Sequence, residues 1–180
     1  MSLLTTPSQT VGPFFHLGMS WLCGDVAGPK ALGARFAIEG VVLDGAGTPV
    51  ADALIEVWQA NAQGAYGSTA DLDFSGFGRV ATDETGRFRF VTMKPGRVLG
   101  PDGVMQAPHL TVALFMRGLL RHLMTRIYFS DDPANADDPV LKRVPPARRD
   151  TLVAKSTMDG QVLQWNVVLQ GEKETVFFDY

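Results

Sequence analysis

The stretch QAPHLTVALFMR, residues 106–117, decides the fold. From His109 onward, Leu110, Val112, Leu114 and Met116 alternate with His109, Thr111, Ala113, Phe115 and Arg117. A period of two is that of a pleated strand with one face on a core; a helix would repeat at 3.6 residues. The same stretch raises a chemical question. His109 and Thr111 project from one face of the strand, roughly 6–7 Å apart. Two histidines so placed could share a metal ion, but here the second position is a threonine.

Outward from this strand the text stays β-like. RFAIEGVVLD (35–44), the turn GAGTP (45–49) and VADALIEVWQA (50–60) read as strand, turn and returning strand, with Gly45, Gly47 and Pro49 supplying the turn chemistry. In RFRFVT (87–92), Phe88 and Phe90 alternate with Arg87 and Arg89. TRIYFS (125–130) and VLQWNVVLQ (162–170) add two more strands, and DPVLKRVPPARRDTLVAK (138–155) holds the best helix candidate, short and after the prolines. Strands joined by Gly/Pro turns predict an all-β protein, an antiparallel β-sandwich with long loops and little helix. NAQGAYGSTADLDFSGFG (61–78) reads as a long loop of small residues, a length that in compact domains marks function or disorder. Residues 1–34 mix Thr, Pro and Gly with scattered aromatics and read as an N-terminal arm, draped over the body or inserted into a partner; residues 35–180 form the sandwich.

With 180 residues, 46% of them hydrophobic, the chain suits one domain with a real core. A net charge of −3 without a basic block leaves nucleic-acid binding nothing to rest on. The single Cys23 excludes an internal disulfide. No apolar run approaches membrane-spanning length, and MSLLTTPSQTVGPFFH lacks the basic-then-apolar order of a leader. Together these point to the cytoplasm.

The reactive residue types are sparse. His16, His109 and His122 are not paired at i+2 or i+4, and a catalytic metal site generally takes three protein ligands. Residue types alone make His109 a partly buried histidine with hydrogen-bonded ring nitrogens. There is no G-x-S-x-G elbow, and Cys23 has no adjacent histidine. The pairs Asp131–Asp132 and Asp137–Asp138 lie in polar stretches and read as solvated loop charge. GAGTP is too short for a phosphate cradle, with no helix after it.

Three stretches add a resemblance. VLDGAGTPVADALIEVWQANAQGAYG (42–67), SGFGRVATDETGRFRFVTMKPG (75–96) and APHLTVALFMRG (107–118) resemble the intradiol ring-cleaving dioxygenases, EVWQANAQGAY being a specific match. That resemblance implies a β-sandwich and a ferric iron, Fe(III), held by two Tyr and two His. The first Tyr, closing W-x-A-N-x-x-G-x-Y, matches Tyr66. The second, two positions after K-P-G, matches Val98; the two His match His109 and Thr111; the basic residue three before the first His matches Gln106. Two of four ligand types remain, which implies that this chain does not hold the iron for catalysis.

Some members of the family are two-chain enzymes, in which a catalytic beta chain carrying iron is joined by a related iron-free chain. TPSQTVGPFFH (6–16) and GEKETVFFDY (171–180) resemble the ends of that iron-free chain. By this resemblance Thr10, Gly12, Pro13 and Arg117 contact the substrate, a dihydroxybenzoate, at the partner's pocket. Arg offers a planar fork of donors to a carboxylate, and a Gly-containing arm exposes backbone N–H groups. Counted along an extended strand, Arg117 lies about 26 Å from His109, too far to serve this chain's own vestigial positions. Two other readings stay open on the residues: a single-chain dioxygenase with atypical iron ligands, and a non-catalytic β-sandwich binding module.

Overall fold

A computed structural model describes residue 12 and residues 18–31, 34–67, 73–157 and 160–179. Eleven strands are described: β1 (Arg35–Leu43), β2 (Leu54–Trp58), β3 (Phe77–Ala81), β4 (Arg87–Met93), β5 (Val98–Leu99), β6 (Met105–Gln106), β7 (His109–Phe115), β8 (Leu123–Phe129), β9 (Val153–Ser156), β10 (Val162–Gln164) and β11 (Val167–Val168). Helical structure among the described residues is short and mostly 3₁₀, so the all-β expectation holds.

The main sheet runs β11-β1-β10-β9-β8-β7-β2-β3, with β4 on β1 and a separate two-stranded β5–β6 pair. The sheet folds over one core. Ile38, Val42, Phe88, Phe90 and Trp165 from the β4–β1–β10 side meet Ile55, Val57, Leu110, Val112, Ile127 and Phe129 from the β2–β7–β8 side. The alternation seen in the sequence explains this. Phe88 and Phe90 turn inward while Arg87 and Arg89 face solvent, and Leu110, Val112 and Leu114 turn inward from β7. Edge-on aromatic pairs, Phe88–Trp165 at 6.2 Å and Phe36–Phe129 at 5.8 Å, add directional packing.

The sandwich is not antiparallel throughout. β8–β9, β1–β10 and β1–β11 pair in parallel. A parallel pair needs a crossover rather than a tight turn. For β8–β9 that crossover is residues 130–152, carrying 3₁₀ turns at Pro133–Ala136, Leu141–Arg143 and Pro146–Leu152. The helix candidate in 138–155 is thus realised as two 3₁₀ pieces. Val144 and Pro145 separate them, Val144 extended because a proline disfavours helical backbone in the residue before it. On the outer face of β8, Tyr128 packs with Ala107, Leu141, Val144 and Leu152 in a second, smaller core.

Part of the segment read as an arm belongs to the body. Val26 and Ala27 are fully buried in the main core. The Val26 N–H donates to the Val91 carbonyl at 3.0 Å, and the Asp25 carboxylate accepts from Val91 N at 2.7 Å. Thr10 and Pro13 lie outside the described residues. No helix among the described residues is long and apolar enough to cross a membrane.

Gly40 in β1 sits against the Trp165 backbone; a Cβ there would lie 1.7 Å from the Trp165 carbonyl oxygen. Overpacking typically costs about 1–3 kcal/mol, more where backbone must move. Gly40→Ala is expected to lose at least about 3 kcal/mol, lowering Tm by roughly 6–12 °C for a chain of this size. Thermal unfolding by circular dichroism checks this; an unchanged Tm would mean that β1 and the β10–β11 turn can separate freely.

Candidate functional site

The positions that match iron ligands are gathered by local turn chemistry. After β2, the Asn61 side-chain oxygen accepts from the N–H groups of Gln63 and Ala65, each at 3.0 Å, which folds the loop that carries Tyr66. Gly64, at φ 79°, closes against the chain ahead of β5: a Cβ there would meet the Arg97 carbonyl oxygen at 2.0 Å. The Gly96 N–H donates to the Asn61 carbonyl at 2.9 Å. The Asn and Gly of the W-x-A-N-x-x-G-x-Y stretch therefore lock the Tyr66 loop against the K-P-G turn. Tyr66 itself is 41% exposed.

Strand register brings the remaining positions together. Val98 of β5 pairs with Gln106 of β6. Three residues on, β7 starts at His109, which faces Tyr128 of β8, and Thr111 faces Arg126. His109 is buried, and one ring nitrogen, Nδ1, lies 2.8 Å from the Ala107 carbonyl, its rings with Tyr128 5.9 Å apart. Its proton affinity falls to a pKa of about 4, chiefly through burial and then through the positive charge of Arg126; the bond to Ala107 opposes the shift.

Arg126 is 9% exposed. Its Nη1 donates to Gln106 Oε1 at 2.9 Å and to the Tyr128 hydroxyl at 3.4 Å. The Tyr128 hydroxyl in turn donates to Asp138 Oδ1 at 3.0 Å. Burial raises the Tyr128 pKa, so the phenol keeps its proton. Asp138 is completely buried and accepts three backbone N–H bonds, from Ala107 (2.8 Å), Val140 (3.0 Å) and Leu141 (2.7 Å). The expectation of solvated loop charge therefore fails for Asp138. Its neighbour Asp137 does face solvent, paired with Lys142 at 3.0 Å. Asp131 and Asp132 share Lys94 at 3.1 and 3.2 Å.

The donor set does not fit ferric iron. Val98 presents hydrocarbon and Thr111 a neutral hydroxyl where anionic and imidazole ligands are needed, and a buried guanidinium stands across from Thr111. Among the described residues no three His, Cys, Asp or Glu side chains are grouped to hold a metal ion.

Arg117 lies apart from this cluster. β7 ends at Phe115, so the extended-strand spacing from His109 is an upper bound. The Arg117 side chain is exposed, and its Nε donates to Asp52. Gly12 is exposed with open space around it. Sequence reasoning did not single out Arg126 or Tyr128; a charged residue in the middle of the apolar run LMTRIYF is the signal that marks Arg126.

Residues 23–171 match the family model described as Dioxygenase. The chain belongs to that family, the intradiol ring-cleaving dioxygenases. It is 42% identical to the protocatechuate 3,4-dioxygenase alpha chain of Pseudomonas putida, over 97% of this chain and 96% of that one. It is also 37% identical to the protocatechuate 3,4-dioxygenase beta chain of Burkholderia cepacia, over 93% and 77% of the two chains. Among solved structures, hydroxyquinol 1,2-dioxygenase from Pseudomonas putida DLL-E4 superposes with a TM-score of 0.63 at 26% identity, covering 93% of this chain and 67% of the other.

The depressed His109 pKa gives a pH signature. The folded state keeps the imidazole neutral down to about pH 4, while the unfolded chain takes up the proton near its ordinary value of 6.5. Stability is therefore full above pH 6.5 and declines as pH falls toward 4, by roughly 3 kcal/mol in all. In urea titrations at pH 7 and pH 4.5, His109→Asn should lose roughly 2–3 kcal/mol less than the unaltered chain. Equal losses would assign the acid sensitivity to other groups.

Proposed function

We propose that this chain is the iron-free alpha subunit of a protocatechuate 3,4-dioxygenase. With a catalytic beta subunit that holds Fe(III), it opens protocatechuate with O₂, between the two hydroxyl-bearing carbons, to 3-carboxy-cis,cis-muconate. The observation that carries this reading is the conjunction of near full-length similarity to an alpha chain with a donor set that cannot serve iron. The similarity to a beta chain supports a partner of the same fold. The lone Cys23, exposed and free, fits a cytoplasmic address.

In this reading the chain contributes a wall of the partner's pocket. The substrate's phenolic oxygens face the beta-chain iron and its carboxylate faces away. Arg117 supplies a fixed positive charge and paired N–H donors to that carboxylate, with Asp52 holding the Nε end so that the fork keeps its aim. The segment with Thr10, Gly12 and Pro13 closes the same pocket. Gly12 lends a backbone N–H without a side chain in the way, and Pro13 contributes shape rather than a donor.

Two assays test this. Ring cleavage, followed by oxygen uptake with protocatechuate, is expected from the co-expressed alpha/beta complex and not from the purified chain. Turnover by the chain alone would establish a single-chain enzyme with atypical ligands. Within the complex, Arg117→Ala removes a charge-assisted hydrogen bond worth roughly 1.5–3 kcal/mol, about 10- to 150-fold in kcat/KM on protocatechuate. The loss should be smaller on catechol, which lacks the carboxylate. Equal losses on both substrates would give Arg117 a structural role.

A further inference from the structure

Arg126 is the buried cation of the vestigial centre, and its position has a chemical consequence. It stands directly across the β7–β8 ladder from Thr111, and side chains so paired have Cβ atoms roughly 4.5–5.5 Å apart. Its Nη1 is bonded to Gln106, which in turn pairs with Val98. His109 is next along the same face of β7, opposite Tyr128. One guanidinium thus stands opposite Thr111 and bonds the residue that pairs with Val98. The fourth position that matches an iron ligand, Tyr66, is held on the loop pinned to the turn before Val98.

We propose that Arg126 occupies the place of the metal cation in this chain, so that a guanidinium rather than iron links β8, beside His109 and Thr111 of β7, to the Val98–Gln106 pair. The inference deepens the reading of the chain as an iron-free subunit and rests on it for the assignment of the vestigial positions. A metal ion knits a site by collecting lone pairs from separate strands. Arg126 works by donating, to the Gln106 side-chain oxygen on β6, the strand paired with Val98, and to the Tyr128 hydroxyl on its own strand. The negative charge that offsets it is Asp138, one phenol away, itself pinned by three backbone N–H groups. Such a network is satisfied without a metal, and a ferric ion entering it would face a fixed positive charge that cannot shed its proton.

Loss of iron in this chain is therefore held in two ways: by the missing ligands and by the added cation. Restoring ligands alone should not restore the metal.

Iron binding by the purified full-length chain tests this without any partner, so its failure is separate from failure of the subunit reading. Val98→Tyr/Thr111→His with Arg126 retained, loaded with ferrous iron in air and desalted, is expected to hold no stoichiometric iron by elemental analysis. It should also show no visible tyrosinate-to-iron absorption. Adding Arg126→Gln to that pair is expected to raise bound iron at least tenfold and to bring up the visible band. Stoichiometric iron in the variant that keeps Arg126 would overturn the proposal by itself, whether or not the triple variant folds. A folded triple variant, by near-ultraviolet circular dichroism, that binds no more iron than the double would overturn it as well.

Discussion

The buried carboxylate of Asp138 is the constraint on which the site depends. It collects the N–H of Ala107, just ahead of β7, the hydroxyl of Tyr128 in β8, and the N–H groups of Val140 and Leu141 in the crossover. A carboxylate with no exposure is tolerated only if every oxygen lone pair that matters is used, and here four donors meet two oxygens. Through Tyr128 it offsets Arg126, and through Ala107 it sets the start of β7, where His109 begins. The second core of Tyr128, Leu141, Val144 and Leu152 excludes water from the same junction. Removing one member of such a network leaves the others buried and unpaired, which is why its parts stand or fall together.

Around that junction the chain has the frame of a ring-cleaving dioxygenase. The turns that present the ligand positions are intact: Asn61 still folds the Tyr66 loop, and Gly64 still allows the close approach of Arg97. At the ends of those turns Val98 offers hydrocarbon and Thr111 a neutral hydroxyl, and Arg126 stands across from Thr111. These turns and the core are held by packing and backbone hydrogen bonds that need no metal.

Much of the frame was legible in the sequence. The period-two runs at 87–92 and 109–115 turned the residues inward that their alternation indicated. The run 162–170 was less legible. It breaks into β10 and β11 because the Asn166 side chain takes the Val41 N–H at 3.0 Å, a bond that interrupts the ladder. The parallel pairings were hidden because strand order depends on long-range contacts and not on local period. Asp138 was illegible for a different reason. An acidic pair in a polar loop looks the same in sequence whether both members are solvated or one turns inward, and the three N–H groups that draw Asp138 in come from residues 107, 140 and 141. Arg126 escaped because strand alternation assigns it a face but does not say that the face is covered. The buried segment at Val26 and Ala27 escaped because it forms bridges, at Gly24–Arg79 and Ala27–Phe74, rather than a periodic strand.

If Arg126 stands where a metal would, this chain carries no iron even inside the assembled enzyme. The most direct measurement is a crystal structure of the alpha/beta complex with anomalous data collected on both sides of the iron absorption edge. An iron peak is expected at the Tyr and His ligands of the beta chain, and in this chain Arg126 density bonded to Gln106 with no iron peak among Tyr66, His109 and Thr111. An iron peak coordinated by Tyr66 and His109 of this chain, with Arg126 turned away, would contradict it.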